Sequence, residues 1–260
     1  MDNDTLSIVF GYLDLGDVVT CLLVNRQFNY VIMNKYVWYH LLQRDFGNYN
    51  PILKQDTSLE TYKLCHSLDK LNRRYKIAET INELSSLKEV DLHYKGIIDV
   101  PIVLGKLTNL TTLYLQSNQI VTVPSELFQL TNLRRLGLGN NKILKIPPEI
   151  GKLVNLQDLY LDNNQLTEVP IELCQLVNLQ DLNLDNNRLT WIPREFGNLK
   201  SLQRLRLFNN QLTELLRERS EQAARPMELG VFPHSRISVG KNPLKGIPIE
   251  LKHLYINPYL

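Results

Sequence analysis

Cysteine is scarce in this chain, and the little there is carries no pattern. Cys21, Cys65 and Cys174 are odd in number, far apart and without metal-ligand spacing. That argues against a disulfide framework or a cysteine metal site and fits thiols in a reducing, cytoplasmic compartment. Neither sign of charge is in excess: 29 Lys and Arg stand against 27 Asp and Glu, a formal net charge of +2. Such a balance supplies no field for a nucleic acid or an anionic membrane surface. No apolar run approaches the roughly 20 residues that span a bilayer. Asp2 and Asp4 stand where a secretory leader would carry basic residues, so no leader is expected. Catalytic signatures are missing too. Gly105-Lys106 and Gly151-Lys152 lack the earlier glycine of a phosphate loop. His40, His66, His93, His234 and His253 show no ligand spacing, and no nucleophile-and-base pairing is signalled. The expectation is a non-enzyme with neither metal nor cofactor.

What is present is repetition. Leu87, Leu110, Leu133, Leu156, Leu179 and Leu202 open near-copies of one phrase at a constant step of 23 residues. Each copy begins LxxLxLxxN, and the alternating leucines suit a short strand with one buried face. The Asn recurs as Asn118, Asn141, Asn164, Asn187 and Asn210, with Lys95 in its place in the first copy. A buried amide at that bend can satisfy backbone groups that would otherwise lack partners. About seven buried apolar side chains per copy supply roughly 10–20 kcal/mol gross. Ordering the backbone of one copy costs more than that, so a single copy cannot fold alone and must stack. The period and phrase are those of leucine-rich repeats, and the wording Ile146-Pro-Pro-Glu-Ile-Gly-Lys-Leu153 resembles the intracellular Ras-group type. Register breaks after Leu216 and resumes at Ile237, with an insertion at 217–235.

The first 47 residues have no repeat character and read as compact helices. Their landmarks run Val9-Phe10, Tyr12-Leu13-Asp14, Asp17-Val18, Val24 to Phe28, Val37-Trp38 and Arg44 to Phe46. In this order they resemble an F-box, with Met1-Asp2 where that family opens Leu-Pro and Phe28 where it has Trp. The resemblance implies a helical module that docks on a Skp-type adaptor and so joins a cullin ligase core. By position it implies adaptor contacts from Leu6, Val9, Phe10, Leu13, Val18, Val24 and Trp38. The expected fold class is therefore α/β: an all-helical F-box-like module (1–47), a helical linker and N-terminal cap (48–86), then a leucine-rich-repeat solenoid (87–260). About seven repeats are expected, with a short-stranded parallel sheet on the concave face.

The outward strand positions form three columns along the repeats. The first runs Glu89, Thr112, Arg135, Asp158, Asp181, Arg204; the second Asp91, Tyr114, Gly137, Tyr160, Asn183, Arg206; the third His93, Gln116, Gly139, Asp162, Asp185, Phe208. Arg135 can pair with Asp158 and Arg204 with Asp181, whereas Asp162 and Asp185 have no cation in their own column. Gly137 and Gly139 remove side chains between Tyr114 and Tyr160, which predicts a notch beside an acidic patch. The candidate partner surface comprises Tyr114, Arg135, Asp158, Tyr160, Asp162, Asp181, Asp185, Arg204, Arg206 and Phe208, and it suits a target protein with a basic segment. The expected role is the substrate receptor of a cullin-based ubiquitin ligase; the alternative is a non-catalytic protein-interaction scaffold unrelated to ubiquitin.

Overall fold

The computed structural model describes residues 35–46, 58–213, 236–244 and 255–257. The chain divides into two compact units between Ser86 and Leu87. The first contains α1 (Lys35–Phe46), α2 (Ser58–Tyr75) and α3 (Ile81–Ser86). α1 packs on α2. Leu41 and Leu42 of α1 and Cys65, Leu68, Leu71 and Tyr75 of α2 are all buried. The four residues of α2 fall three or four apart, which places them on one helical face.

A side-chain amide makes the turn between α2 and α3. Lys76 takes a left-handed φ of 53° and donates its N–H to the Asn72 carbonyl at 2.7 Å. The Asn72 Oδ1 accepts the N–H groups of Ile77 and Ala78 at 3.1 and 2.8 Å. Thr80 then caps α3: its Oγ1 accepts the Glu83 N–H at 3.1 Å, and Glu83 Oε2 accepts the Glu79 N–H at 2.8 Å. This is close to the reciprocal capping box. Both α2 and α3 fall within the stretch 48–86, where a helical linker and cap are expected.

The second unit is built on one parallel sheet. Its strands are β1 (Glu89–Asp91), β2 (Thr112–Tyr114), β3 (Arg135–Gly137), β4 (Asp158–Tyr160), β5 (Asp181–Asn183), β6 (Arg204–Arg206), β7 (Arg236–Ser238) and β8 (Tyr255–Asn257). They lie side by side in sequence order. Leu113, Leu136, Leu159, Leu182 and Leu205 align across the ladder and are buried. β7 pairs in register with β6 although Arg236 follows Arg204 by 32 residues, so the repeat resumes at Ile237 as its sequence indicates. The predicted insertion at 217–235 lies outside the described residues. β8 goes beyond the expected seven units. Tyr255 follows Arg236 by only 19 residues, so a fixed 23-residue period passes over it.

Between β1 and β6, each strand leads to the next through a five-residue 3-10 helix: Ile102–Lys106, Ser125–Gln129, Pro148–Lys152, Ile171–Gln175 and Arg194–Asn198. Each starts directly after a proline (Pro101, Pro124, Pro147, Pro170, Pro193) with φ between −59° and −70°. Proline suits this position because its φ is preset and it has no N–H to leave unpaired. Consecutive 3-10 helices pack on one another, and the core lies between them and the sheet.

The recurrent asparagines stitch each repeat to the one before. Asn164 Nδ2 donates to the carbonyls of Leu138 and Leu161 at 3.0 and 3.1 Å, and its Oδ1 accepts the Ile143 N–H at 2.9 Å. Asn118, Asn141, Asn187, Asn210 and Asn242 repeat the pattern. The residue just before each is left-handed: Ser117, Asn140, Asn163, Asn186, Asn209 and Lys241 all have φ near 54°. Four of the six are asparagine, which tolerates that region better than most side chains.

Candidate protein-interaction surface

The sheet register brings the three predicted columns together as drawn. Arg135, Asp158, Asp181 and Arg204 are consecutive in the first, while Tyr114, Gly137 and Tyr160 are consecutive in the second. Arg135 Nε donates to Asp158 Oδ2 at 3.0 Å, and its Nη1 donates to the Tyr114 hydroxyl at 3.3 Å. The Tyr114 hydroxyl and then Asp158 hold the Arg135 guanidinium firmly protonated. Arg204 Nε donates to Asp181 Oδ2 at 2.7 Å, and Arg206 Nη2 approaches the same oxygen at 3.7 Å.

Asp181 is the unusual member of this row. It is only 2% exposed, its Oδ2 faces two cations, and its buried Oδ1 has no hydrogen-bond partner among the described residues. Beside it the Tyr160 hydroxyl is pushed above its ordinary range by burial and by Asp158 and Asp181. The row reads plus, minus, minus, plus, with an unused acceptor at its centre.

The expected open notch is not open. A side chain at Gly137 would fall inside the amide of Gln116, and one at Gly139 would meet the Asp162 carboxylate. Gln116 and Asp162 therefore lie over the two glycines, and the Gln116 Oε1 is buried without a hydrogen-bond partner among the described residues. The glycines remove their own side chains only to admit those of neighbouring repeats, which the pattern along one strand does not reveal. Asp185 also has a role in the fold that its column did not suggest. Its Oδ1 accepts the Phe208 N–H at 2.7 Å, although that N–H lies one repeat on. Asp162 accepts from Asn163 Nδ2 at 2.7 Å. Arg206 stands two positions after Arg204, and Phe208 has Lys241 Nζ over its ring at 5.0 Å.

At the β1 end, Asp91 Oδ1 accepts the His93 N–H at 2.9 Å, which holds its carboxyl below the usual range. The His93 and Tyr114 rings lie 5.2 Å apart. Sequence reasoning placed Gln116 and His93 in the third column without giving either a role, and named Tyr114 as a candidate without its ring partner. Of the residues assigned to adaptor binding, Leu6, Val9, Phe10, Leu13, Val18 and Val24 lie outside the described residues, and Trp38 falls in α1.

The chain matches known families over both parts. An F-box-like model matches residues 3–44. A leucine-rich repeat region matches 126–223, and a single leucine-rich repeat matches 109–130. The chain joins an F-box-like segment to leucine-rich repeats. No curated protein matches this F-box-like leucine-rich-repeat chain. Among solved structures it is similar to a leucine-rich-repeat protein of Leptospira interrogans, with 32% identity and a TM-score of 0.52 over 70% of this chain. It spans 52% of that protein. A plant peptide hormone receptor, RGFR1, solved in complex with RGF2, is similar over 62% of this chain and 26% of its own, with 29% identity and a TM-score of 0.51. F-box-like segments and leucine-rich repeats are typically non-catalytic interaction modules. Among the described residues no helix is long and apolar enough to cross a membrane, and no cluster of His, Cys, Asp and Glu could hold a metal ion.

Proposed function

We propose that this chain is the substrate-receptor subunit of a cullin-based ubiquitin ligase. Its F-box-like segment recruits a Skp-type adaptor, and its repeats hold the protein to be modified. The observation that carries this reading is the presence in one chain of an F-box-like segment at 3–44 and a parallel leucine-rich-repeat sheet. Tethering a target beside a ligase raises its effective concentration there, so the receptor accelerates modification without doing chemistry.

The target surface is the row from Tyr114 to Phe208. Asp158 and Tyr160 in β4, and Asp162 and Asp185 just after β4 and β5, group beside the buried Asp181, and this acidic group suits a basic segment. Tyr and Arg are frequent anchors in such interfaces.

The test is co-purification of the full chain with a Skp-type adaptor, beside a Leu13→Asp plus Trp38→Ala variant. Capture by the native chain and its loss in the variant is the expected result. Equal capture by both, or none by either, overturns the receptor reading and leaves a leucine-rich-repeat interaction scaffold.

A further inference from the structure

A cavity of about 330 Å³ opens in the layer opposite the sheet. It lies where three successive repeats enter their 3-10 helices, and it is lined by Lys145, Glu168, Glu172, Trp191, Glu195 and prolines that include Pro148, Pro170 and Pro193. We propose that this cavity is a second binding site, which takes a Lys or Arg side chain from a basic peptide segment of a partner. It is distinct from the sheet face and from adaptor recruitment.

The first support is Trp191 itself. At 23-residue spacing its position is filled by Asp99, Thr122, Lys145 and Glu168 in the preceding repeats, all exposed polar residues. An indole there is only partly covered, and packing gives no reason to prefer it to the polar residues its neighbours use. An aromatic face walled by prolines is a surface on which a cationic group gains by cation–π attraction.

Charge supplies the second support. Lys145 Nζ lies 3.5 Å from Glu168 Oε1, so those two largely cancel. Glu172 and Glu195 have no ion-pair partner among the described residues, and the charged residues that line the cavity are one lysine and three glutamates. Their field is felt nearby: the Cys174 thiol is pushed up to about 12, by burial first and by Glu195 next. Glu126, Glu149, Glu172 and Glu195 recur in the first turn of their 3-10 helices, where a carboxylate is an ordinary feature. That accounts for the acids one by one. It does not account for an indole set among them. Volume agrees, since about 330 Å³ is at the lower end for ligand sites.

The test uses the full chain and a fluorescein-labelled hexa-arginine peptide, with hexa-glutamate as the charge control, read by anisotropy at physiological salt. Trp191→Ala is expected to weaken hexa-arginine binding by about 5- to 30-fold, the scale of a desolvated cation–π contact. Glu172→Gln plus Glu195→Gln, which keeps shape and changes only charge, is expected to weaken it to a similar degree. Glu126→Gln plus Glu149→Gln, at the same helix position in preceding repeats and outside the cavity lining, is expected to leave it unchanged, and thermal melts of each variant establish that it is folded. Three results overturn the proposal: no hexa-arginine binding by the native chain, undiminished binding by folded Trp191→Ala or by the Glu172 and Glu195 double variant, or an equal loss in the Glu126 and Glu149 double variant.

Discussion

Asp185 shows how one residue serves the fold and the surface at once. Its Oδ1 accepts the Phe208 N–H at 2.7 Å, yet burial holds its carboxyl above the usual range, with that hydrogen bond and then Arg206 opposing. A carboxyl raised on folding contributes stability below its unfolded pKa and loses it as pH rises through the folded value. At neutral pH the ionised form is therefore a cost that the fold carries. Asp185→Asn keeps the acceptor and removes the charge, so it should raise the melting temperature near pH 7, with the gain shrinking as pH falls through the raised folded value and gone below the ordinary carboxylate range. Asp185→Ala removes the acceptor and should cost about 1 kcal/mol. Thermal melts of the three proteins between about pH 3 and about pH 8 check both the sign and the convergence. The opposite ordering, with Asn less stable than Asp at neutral pH, would mean that Arg206 outweighs burial.

The five-residue 3-10 helices show the same economy at the scale of an element. Successive ones pack so closely that an added methyl at Gly105 would fall on the Glu126 carbonyl of the following helix. At Gly151, in the same slot two repeats later, the nearest obstacle is the flexible Gln175 side chain at 2.7 Å, followed by the Glu172 carbonyl at 3.0 Å. The glycine-lysine pairs that might suggest phosphate loops are thus packing contacts. Gly105→Ala must push one helix from the next and should cost about 2–3 kcal/mol, the scale of an overpacked core. Gly151→Ala should cost less, because Gln175 can swing aside. Urea titrations of the two variants rank them; an equal cost would show that the helices adjust as readily as a side chain does.

At the scale of the repeat array, each strand pairs only with its sequence neighbours, so cohesion passes along the repeats one interface at a time. The asparagines carry part of it at every step. Asn164→Ala should leave the Ile143 N–H and the Leu138 and Leu161 carbonyls without their partner, costing about 3 kcal/mol. Because the lesion lies mid-array, its denaturant transition should also broaden as the halves on either side lose coupling. A transition that shifts without broadening would show that the leucine core alone couples the repeats.

The chain's own residues determined the stacking. A 23-residue step, leucines alternating along a strand and an asparagine at each bend permit only a parallel sheet whose units lie in sequence order, and the columns of outward residues follow from that register. The order of landmarks from Val9 to Phe46 likewise marks the F-box-like segment. Tertiary structure alone decided what lies between repeats. That Gln116 fills the space at Gly137, that Asp185 holds an N–H one repeat away, and that Trp191 shares a cavity with Glu168 and Glu172 are relations between residues about 20 positions apart. Period and pattern record what each residue does within its own strand. Contacts across strands depend on side-chain rotamers and on the spacing of the stacked backbones, which come into existence only when neighbouring repeats pack.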